Sequence, residues 1–529
     1  MQDPVAIDTP GARAIGFHLP ERYNASAVLF DNLTRGNADR PAVTGPGGTL
    51  TYAELCGRAA QVGHALRAFG LAPGDRALCL LDDGPAYPAI IFGAIRAGFV
   101  PVLLNTASPA DLIQFYAQDS GARIAFVDGA LFAKIGMPAF REAAVEQVVL
   151  VEGEAAEPGV LTEAAFRADR PTEIDAADTH RDDMAFWMYS SGSTGKPKGV
   201  VHLQHDIAYT VESYARHFLK LTPDDLCFSV PKIFFAYGFG NSCSFPFAAG
   251  ACAALLPGRP DPKAIFDVAR RFRPTVFFGL PTLYTALMSD PAQETADFSS
   301  VRLCVSAAEV LASELFAAWR ERFGLEIVEG LGSTEVLHIY LSNAEDAKRS
   351  GAAGRSVPGY EVKLVMPDGE TETDRDGVLM VRGPSTAPCY WNRPDKTAET
   401  MRGDWIWTGD LFDRDADGFY YFRGRADDLI KVSGQWVYPM EVELCLADHP
   451  DVRECAVLGV ELADRRMTLK AFVALADGVL PDEARTPELQ AFVKRKLLPY
   501  KYPRVVTYLD ELPKTGTGKI DRQALRQAK

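Results

Sequence analysis

Twelve residues, Tyr189-Ser190-Ser191-Gly192-Ser193-Thr194-Gly195-Lys196-Pro197-Lys198-Gly199-Val200, hold three glycines, four serine or threonine hydroxyls and two lysines. Glycine lets the backbone approach a ligand closely, and clustered N–H groups, hydroxyls and ammonium groups suit phosphate oxygens. The stretch therefore predicts a loop that holds the triphosphate of a nucleotide. A Walker-type loop needs four residues between its glycines and then Gly-Lys-Ser/Thr opening a helix. Here Ser193 and Thr194 alone separate Gly192 from Gly195, and Pro197 follows Lys196. A flexible glycine–serine linker is the other reading of such a composition.

The elements around this loop are predicted from periodicity. Met184–Met188 is an apolar run that reads as a buried strand leading into it. Ala77–Leu81, Val100–Leu104, Arg123–Val127 and Gln147–Val151 read as strands, with a helix over Pro85–Arg96. Val28–Leu33 reads as an amphipathic helix, and Thr51 with Glu54 as the capping box of another. Beyond the loop, Leu226–Val230, Ala251–Leu256, Thr275–Leu280, Val301–Val305 and Glu326–Val328 continue the strands, with helices over Pro262–Phe272 and Ser313–Phe323. This alternation predicts α/β sheets with parallel pairings. From about residue 355 short strands separated by Asp/Gly turns predict a β-rich subdomain. After Gly424-Arg425-Ala426-Asp427-Asp428, about a hundred residues with their own mixed pattern predict a second domain.

Composition bounds the function. At 529 residues the chain needs two or more domains. Its 47% hydrophobic and 24% charged residues are those of a globular protein, and a net charge of −15 disfavours nucleic-acid binding. Nine scattered cysteines, without a CxxC pair, read as reduced thiols. With no signal-peptide pattern and no membrane-spanning run, a cytoplasmic protein without stable membrane insertion is expected. A homodimer is compatible with the sequence, which does not decide the oligomeric state.

The dodecapeptide resembles the phosphate-binding signature of the adenylate-forming enzymes, which include acyl- and aryl-CoA ligases, luciferases and peptide-synthetase adenylation domains. Four further motifs follow in that family's order over more than 300 residues: Glu329-Gly330-Leu331-Gly332-Ser333-Thr334-Glu335, Trp407-Thr408-Gly409-Asp410, Gly424-Arg425 and Pro513-Lys514-Thr515-Gly516-Thr517-Gly518-Lys519-Ile520. The resemblance covers about residues 25–526 and implies an α/β large domain over 1–426, holding ATP and the acid, with a small mobile α+β domain over 427–529. Carboxylate and MgATP would give an acyl-adenylate and pyrophosphate; the thiol of coenzyme A would then displace AMP.

Residue roles follow from the resemblance. Ser190, Ser191, Gly192, Ser193, Thr194, Gly195 and Lys198 would hold phosphates, with Thr194 also catalytic. Ser306-Ala307-Ala308-Glu309 would wrap the adenine. Glu329, Gly330, Leu331, Gly332, Ser333 and Thr334 would contact the nucleotide, and Glu335 would bind Mg²⁺, which prefers oxygen ligands. Asp410 would take the ribose hydroxyls, because an acceptor-only carboxylate matches a diol. Arg425 would contact ribose or phosphate. Lys519 would stabilise the charge that builds during attack on the α-phosphorus. Asp427 matches the hinge, and Lys431, Gly434 and Trp436 would approach the thiol tunnel.

The acid is read from Pro231-Lys232-Ile233-Phe234-Phe235-Ala236-Tyr237-Gly238-Phe239-Gly240-Asn241, an aromatic-rich stretch similar to the "FFAYGxGN" segment of benzoate-CoA ligases. Val336-Leu337-His338-Ile339 resembles the same subgroup. Phe235, Ala236, Tyr237, Gly279, His338 and Ile339 are the pocket candidates, and benzoate is the expected acid. A hydroxybenzoate, another aryl acid, a medium-chain acid or a carrier-protein thiol as acceptor are the alternatives within this chemistry. A non-catalytic nucleotide-binding protein on the same fold is the alternative outside it.

Overall fold

The computed structural model describes residues 6–143, 145–155, 157–190, 196–309, 311–344, 348–349, 351–366, 369, 371–432, 435–462, 467–476, 478–481, 484–498, 500–514 and 520–527, with Asp427, Lys431, Gln435 and Trp436 described in their backbone only. The chain packs as two units. The first comprises residues 1–362, 381–407 and 418–420; the second comprises 363–380, 408–417 and 421–529.

The first unit is built on two large sheets. One has seven strands in the order Val160–Thr162, Gln147–Val151, Ile124–Asp128, Arg76–Leu80, Val100–Leu103, Met184–Ser190 and Lys198–Leu203. Neighbours are parallel except the last pair, where Lys198–Leu203 runs back antiparallel to Met184–Ser190. Ser190 and Lys198, at the two ends of the central part of the phosphate-loop stretch, pair with each other at the sheet's edge. Met184–Ser190 is an apolar run because it is covered on both faces: Phe186, Trp187 and Met188 are buried.

The other sheet has nine strands in the order Arg355–Ser356, Ile339–Ser342, Ile327–Gly332, Leu303–Ala307, Val276–Gly279, Leu226–Ser229, Cys252–Ala254, Pro41–Thr44 and Leu50–Thr51. Its middle is parallel, and the strands at both ends are antiparallel. The helices Pro262–Phe272 and Ser313–Phe323 have the predicted bounds. They close a core of Phe277, Tyr284, Phe298 and Trp319 over this sheet. Helix Tyr52–Phe69 starts on Thr51, whose hydroxyl accepts from the Glu54 amide while the Glu54 carboxylate accepts from the Thr51 amide, so the capping box is present. Val28–Leu33 is shorter in its helical part than expected: one turn over Ala27–Phe30 tightens into a 3₁₀ turn, Asp31–Leu33. All nine cysteines are free thiols. Among the described residues no helix is long and apolar enough to cross a membrane.

In the second unit, Val452–Glu461, Met467–Leu475 and Val505–Tyr508 form a three-stranded sheet. Helices Pro439–Ala447 and Arg485–Lys496 contribute Val442, Leu446, Leu489 and Val493 to a core with Val457, Leu469 and Val473. Ile430–Val432 and Gln435–Val437 pair antiparallel beside it.

Candidate active site

Three strands of the nine-stranded sheet end abreast. Gly279 pairs with Ser306, Ser306 with Glu329, and Ala307 with Gly330. Open α/β sheets bind ligands beyond the carboxyl ends of their strands. Gly279, Ser306, Ala307, Glu329, Gly330, Leu331 and Gly332 thus share the edge where such a ligand belongs. Ala308 follows with φ +72°, a left-handed conformation that an alanine adopts only under constraint. The next side chain, Glu309, accepts the Thr282 amide at 3.2 Å, at the start of helix Pro281–Ser289. The Glu329 carboxylate accepts the Leu311 amide at 3.1 Å, and burial pushes its pKa up to about 7.

Past Gly332 the chain turns at Ser333-Thr334-Glu335 and returns antiparallel, pairing Gly332 with Ile339 and Gly330 with Ser342. The two glycines allow that closure. A β-carbon at Gly332 would lie 2.5 Å from the His338 carbonyl oxygen, and one at Gly330 would lie 2.8 Å from the Ile339 side chain. Glu335, half-buried at the tip, is held twice by a later segment. Its carbonyl accepts the Ala387 amide at 2.8 Å, and its Oε1 accepts the Tyr390 hydroxyl at 2.7 Å. The Lys198 ammonium lies 4.1 Å from the Tyr390 ring centroid.

Buried polar atoms in folded proteins nearly always have partners. Among the described residues the hydroxyl oxygens of Ser190, Ser306 and Ser333 are buried without one. Each lies in a different motif predicted to touch the nucleotide. Ser191, Gly192, Ser193, Thr194 and Gly195 lie outside the described residues.

Of the acyl candidates, Tyr237 packs against His338, which is 3% exposed. Its ring centroid lies 4.5 Å from that of Phe245, 5.0 Å from Tyr214 and 5.6 Å from Tyr237. Burial pushes the His338 pKa down to about 3, so the imidazole is neutral near pH 7. Its Nε2 lies 3.3 Å from Asn241 Oδ1, while its Nδ1, the Asn241 amide nitrogen and the Tyr237 hydroxyl are buried without a hydrogen bond of normal geometry. Asn241 sits in a π-helical turn, Gly240–Ser244, inserted between the helical turns Ala236–Phe239 and Phe245–Ala249. Such insertions recur at functional sites. Ala236 and Ile339 are buried. Phe235 is 38% exposed, with its ring 4.7 Å from Phe234.

In the second unit Asp410 and Arg425 meet. Arg425 Nη1 donates to Asp410 Oδ1 and to the Thr408 carbonyl, both at 2.9 Å. Gly409 between them has φ +71°, and a β-carbon there would lie 2.7 Å from Arg425 Nη2. Asp427 lies in a 3₁₀ turn, Ala426–Asp428, and Lys431 pairs with Trp436 in the short hairpin. Gly434 and Lys519 lie outside the described residues.

Sequence reasoning passed over Tyr390, Tyr214, Phe245 and His202. None lies in a quoted motif; His202 and Phe245 stand just beyond two of them, and Tyr390 reaches Glu335 from 55 positions away. The one local signal was the aromatic pair Tyr390-Trp391 between turn-forming residues.

Residues 30–391 match the family described as AMP-binding enzyme, and residues 441–519 match the AMP-binding enzyme C-terminal domain. The chain is 42% identical to a benzoate–CoA ligase of Thauera aromatica over 96% of its own length and 97% of that protein's. It is 40% identical to a 4-hydroxybenzoate–CoA/benzoate–CoA ligase of Rhodopseudomonas palustris, over 96% of this chain and 94% of that one. A crystal structure of a benzoate CoA ligase from Burkholderia xenovorans superposes with a TM-score of 0.86 at 39% identity, covering 95% of this chain and 100% of that one.

Proposed function

The chain belongs to the AMP-binding enzyme family and is an AMP-forming aryl-acid–CoA ligase, and on that premise we propose that benzoate is the acid it activates. The observation that carries this reading is the neutral, buried His338 inside the ring cage of Tyr214, Tyr237 and Phe245. The aromatic, uncharged surroundings of His338 suit the ring of an aryl acid, and the only charged group of benzoate is the carboxylate that must react.

ATP and coenzyme A are the co-substrates. The buried, unpartnered hydroxyls of Ser190, Ser306 and Ser333 support a nucleotide bound at these motifs. Ser191–Gly195 and Lys198 hold the phosphates, Ser306–Glu309 and Glu329–Thr334 the adenosine, and Asp410 with Arg425 the ribose. Glu335 suits Mg²⁺: Tyr390 occupies Oε1, which leaves Oε2 as a carboxylate oxygen for a hard cation. Bound there, Mg²⁺ would neutralise phosphate charge. Lys519 supplies positive charge for attack of the carboxylate on the α-phosphorus. Residues 427–529 form the small domain, which rotates about Asp427 and presents Lys431, Gly434 and Trp436 to the thiol.

A hydroxybenzoate is the second reading. The Tyr237 hydroxyl, His338 Nδ1 and the Asn241 amide are buried without a hydrogen bond of normal geometry, and a ring hydroxyl would offer one of them a better partner.

The test is CoA-dependent AMP formation with MgATP and a panel of benzoate, 4-hydroxybenzoate, 2-aminobenzoate, cyclohexanecarboxylate, hexanoate and acetate. Benzoate should lead in kcat/KM by about tenfold, or about 1.4 kcal/mol in transition-state binding. A lead by 4-hydroxybenzoate would move the assignment to the second reading. A lead by hexanoate or acetate would overturn the aryl-acid reading.

A further inference from the structure

We propose that Tyr390 is a positioning residue that sets the Glu335 carboxylate and the Lys198 ammonium for the metal–triphosphate group. This deepens the reading above and rests on it. The geometry begins with the backbone. Residues 389–391 lie beside the strand Lys198–Leu203: the Val201 amide donates to the Cys389 carbonyl at 3.2 Å, and the Trp391 amide donates to the Gly199 carbonyl at 2.7 Å. Val200 and Tyr390 face each other in an antiparallel bridge. The strand that leaves the phosphate loop is thereby tied to Tyr390.

The same segment is tied to the Glu335 turn. Ser385 Oγ donates to the Val336 carbonyl at 2.9 Å, and the Ala387 amide donates to the Glu335 carbonyl at 2.8 Å. Tyr390 is 3% exposed, and its amide donates to Thr397 Oγ1 at 3.0 Å. Trp391 adds a further brace: its indole N–H donates to the Asp119 carbonyl at 2.9 Å, and Asp119 Oδ2 accepts the Tyr189 hydroxyl at 2.8 Å. Tyr189 and Lys198 flank the loop on either side, so both of its ends lead to this segment.

One aromatic side chain then serves two opposite charges. Its hydroxyl fixes one oxygen of Glu335, and its ring face carries the Lys198 ammonium. A carboxylate and an ammonium left free nearby would tend to pair with each other, which would withdraw both from a ligand. Tyr390 gives the Glu335 carboxylate and the Lys198 ammonium each an uncharged contact.

The test separates the two halves of the side chain. Equilibrium binding of ATP to the full-length protein is measured calorimetrically, once with Mg²⁺ and once with EDTA, for wild type, Tyr390→Phe and Tyr390→Leu. Tyr390→Phe keeps the ring and should weaken ATP binding with Mg²⁺ by about tenfold, the factor carried by one hydrogen bond to a charged group, while binding in EDTA stays within about twofold. Tyr390→Leu should weaken binding in EDTA as well. If Tyr390→Phe binds ATP like wild type in both conditions, or loses affinity equally in both, the proposal is overturned. If wild type itself binds ATP equally with Mg²⁺ and with EDTA, the metal role of Glu335 fails, and the proposal fails with it.

Discussion

His202 Nε2 donates to the carbonyl oxygen of Thr334 at 2.9 Å, and its Nδ1 lies 2.8 Å from Asp206 Oδ2. Both side chains of this pair are fully buried. The strand Lys198–Leu203 thus carries, one residue before its end, a histidine that holds the residue before Glu335. Removing His202 takes a buried hydrogen-bond partner from Thr334 and from Asp206, whose Oδ2 also accepts the Leu203 amide. His202→Leu should therefore destabilise the protein by about 3 kcal/mol in denaturant unfolding, and the double replacement His202→Leu/Asp206→Leu should cost less than the sum of the singles. Strict additivity would show that the pair is not coupled.

Gly240 has no room for a side chain. A β-carbon there would lie 2.5 Å from His338 Cδ2 and 2.7 Å from Nε2, with Phe245 at 2.9 Å. Gly240→Ala should displace the imidazole. The expected outcome is a fall of about tenfold or more in kcat/KM for the aryl acid, with KM for ATP unchanged and a stability cost of about 1–3 kcal/mol. A parallel rise in KM for ATP would place His338 outside the acyl site.

Asp83 is buried beside the loop that leads to the acyl site, and its Oδ1 accepts the Ile233 amide at 3.1 Å. Burial pushes its pKa up to about 7, against the opposing pull of Lys232. The folded state therefore binds a proton that the unfolded state has released between about pH 4 and 7. This contribution to stability is complete below about pH 4 and is lost as pH rises through 7. Glu329, also raised to about 7, acts in the same sense. His338, pushed down to about 3, acts oppositely: it costs stability as pH falls below about 6.5. Asp83→Asn should make stability rise more steeply with pH between 4 and 7 than in wild type, by one proton's worth of slope. An unchanged slope in urea titrations across that range would contradict the assignment.

Lys519→Ala should abolish benzoyl-adenylate formation, measured as acid-dependent pyrophosphate release, while thioester formation from pre-made benzoyl-adenylate and CoA persists. A charge aimed at the first transition state has no part in the second. Equal loss of both half-reactions would count against that division of labour.

Most strands and helices were legible because their signals are local. Periodicity placed Pro262–Phe272 and Ser313–Phe323 at their observed bounds. The hydroxyl and carboxylate partners of Thr51 and Glu54 stand three residues apart in the chain. The motif residues were legible for a related reason. A phosphate loop or a glycine-flanked turn is built from neighbouring residues, and so its pattern survives in one dimension.

The sequence by itself determined the class of chemistry: glycines, hydroxyls, carboxylates and lysines in a fixed order suited to a nucleotide and an activated acid. Only the tertiary structure decided what holds them. Gly279, Ser306 and Glu329 lie abreast because three parallel strands happen to end in register. Tyr390 reaches Glu335 across 55 positions of chain. His338 becomes neutral because Tyr214, Tyr237 and Phe245 exclude water from it. Hydrogen bonds between distant residues and the desolvation of a buried ring depend on how whole elements pack, and no short pattern of residues carries that information.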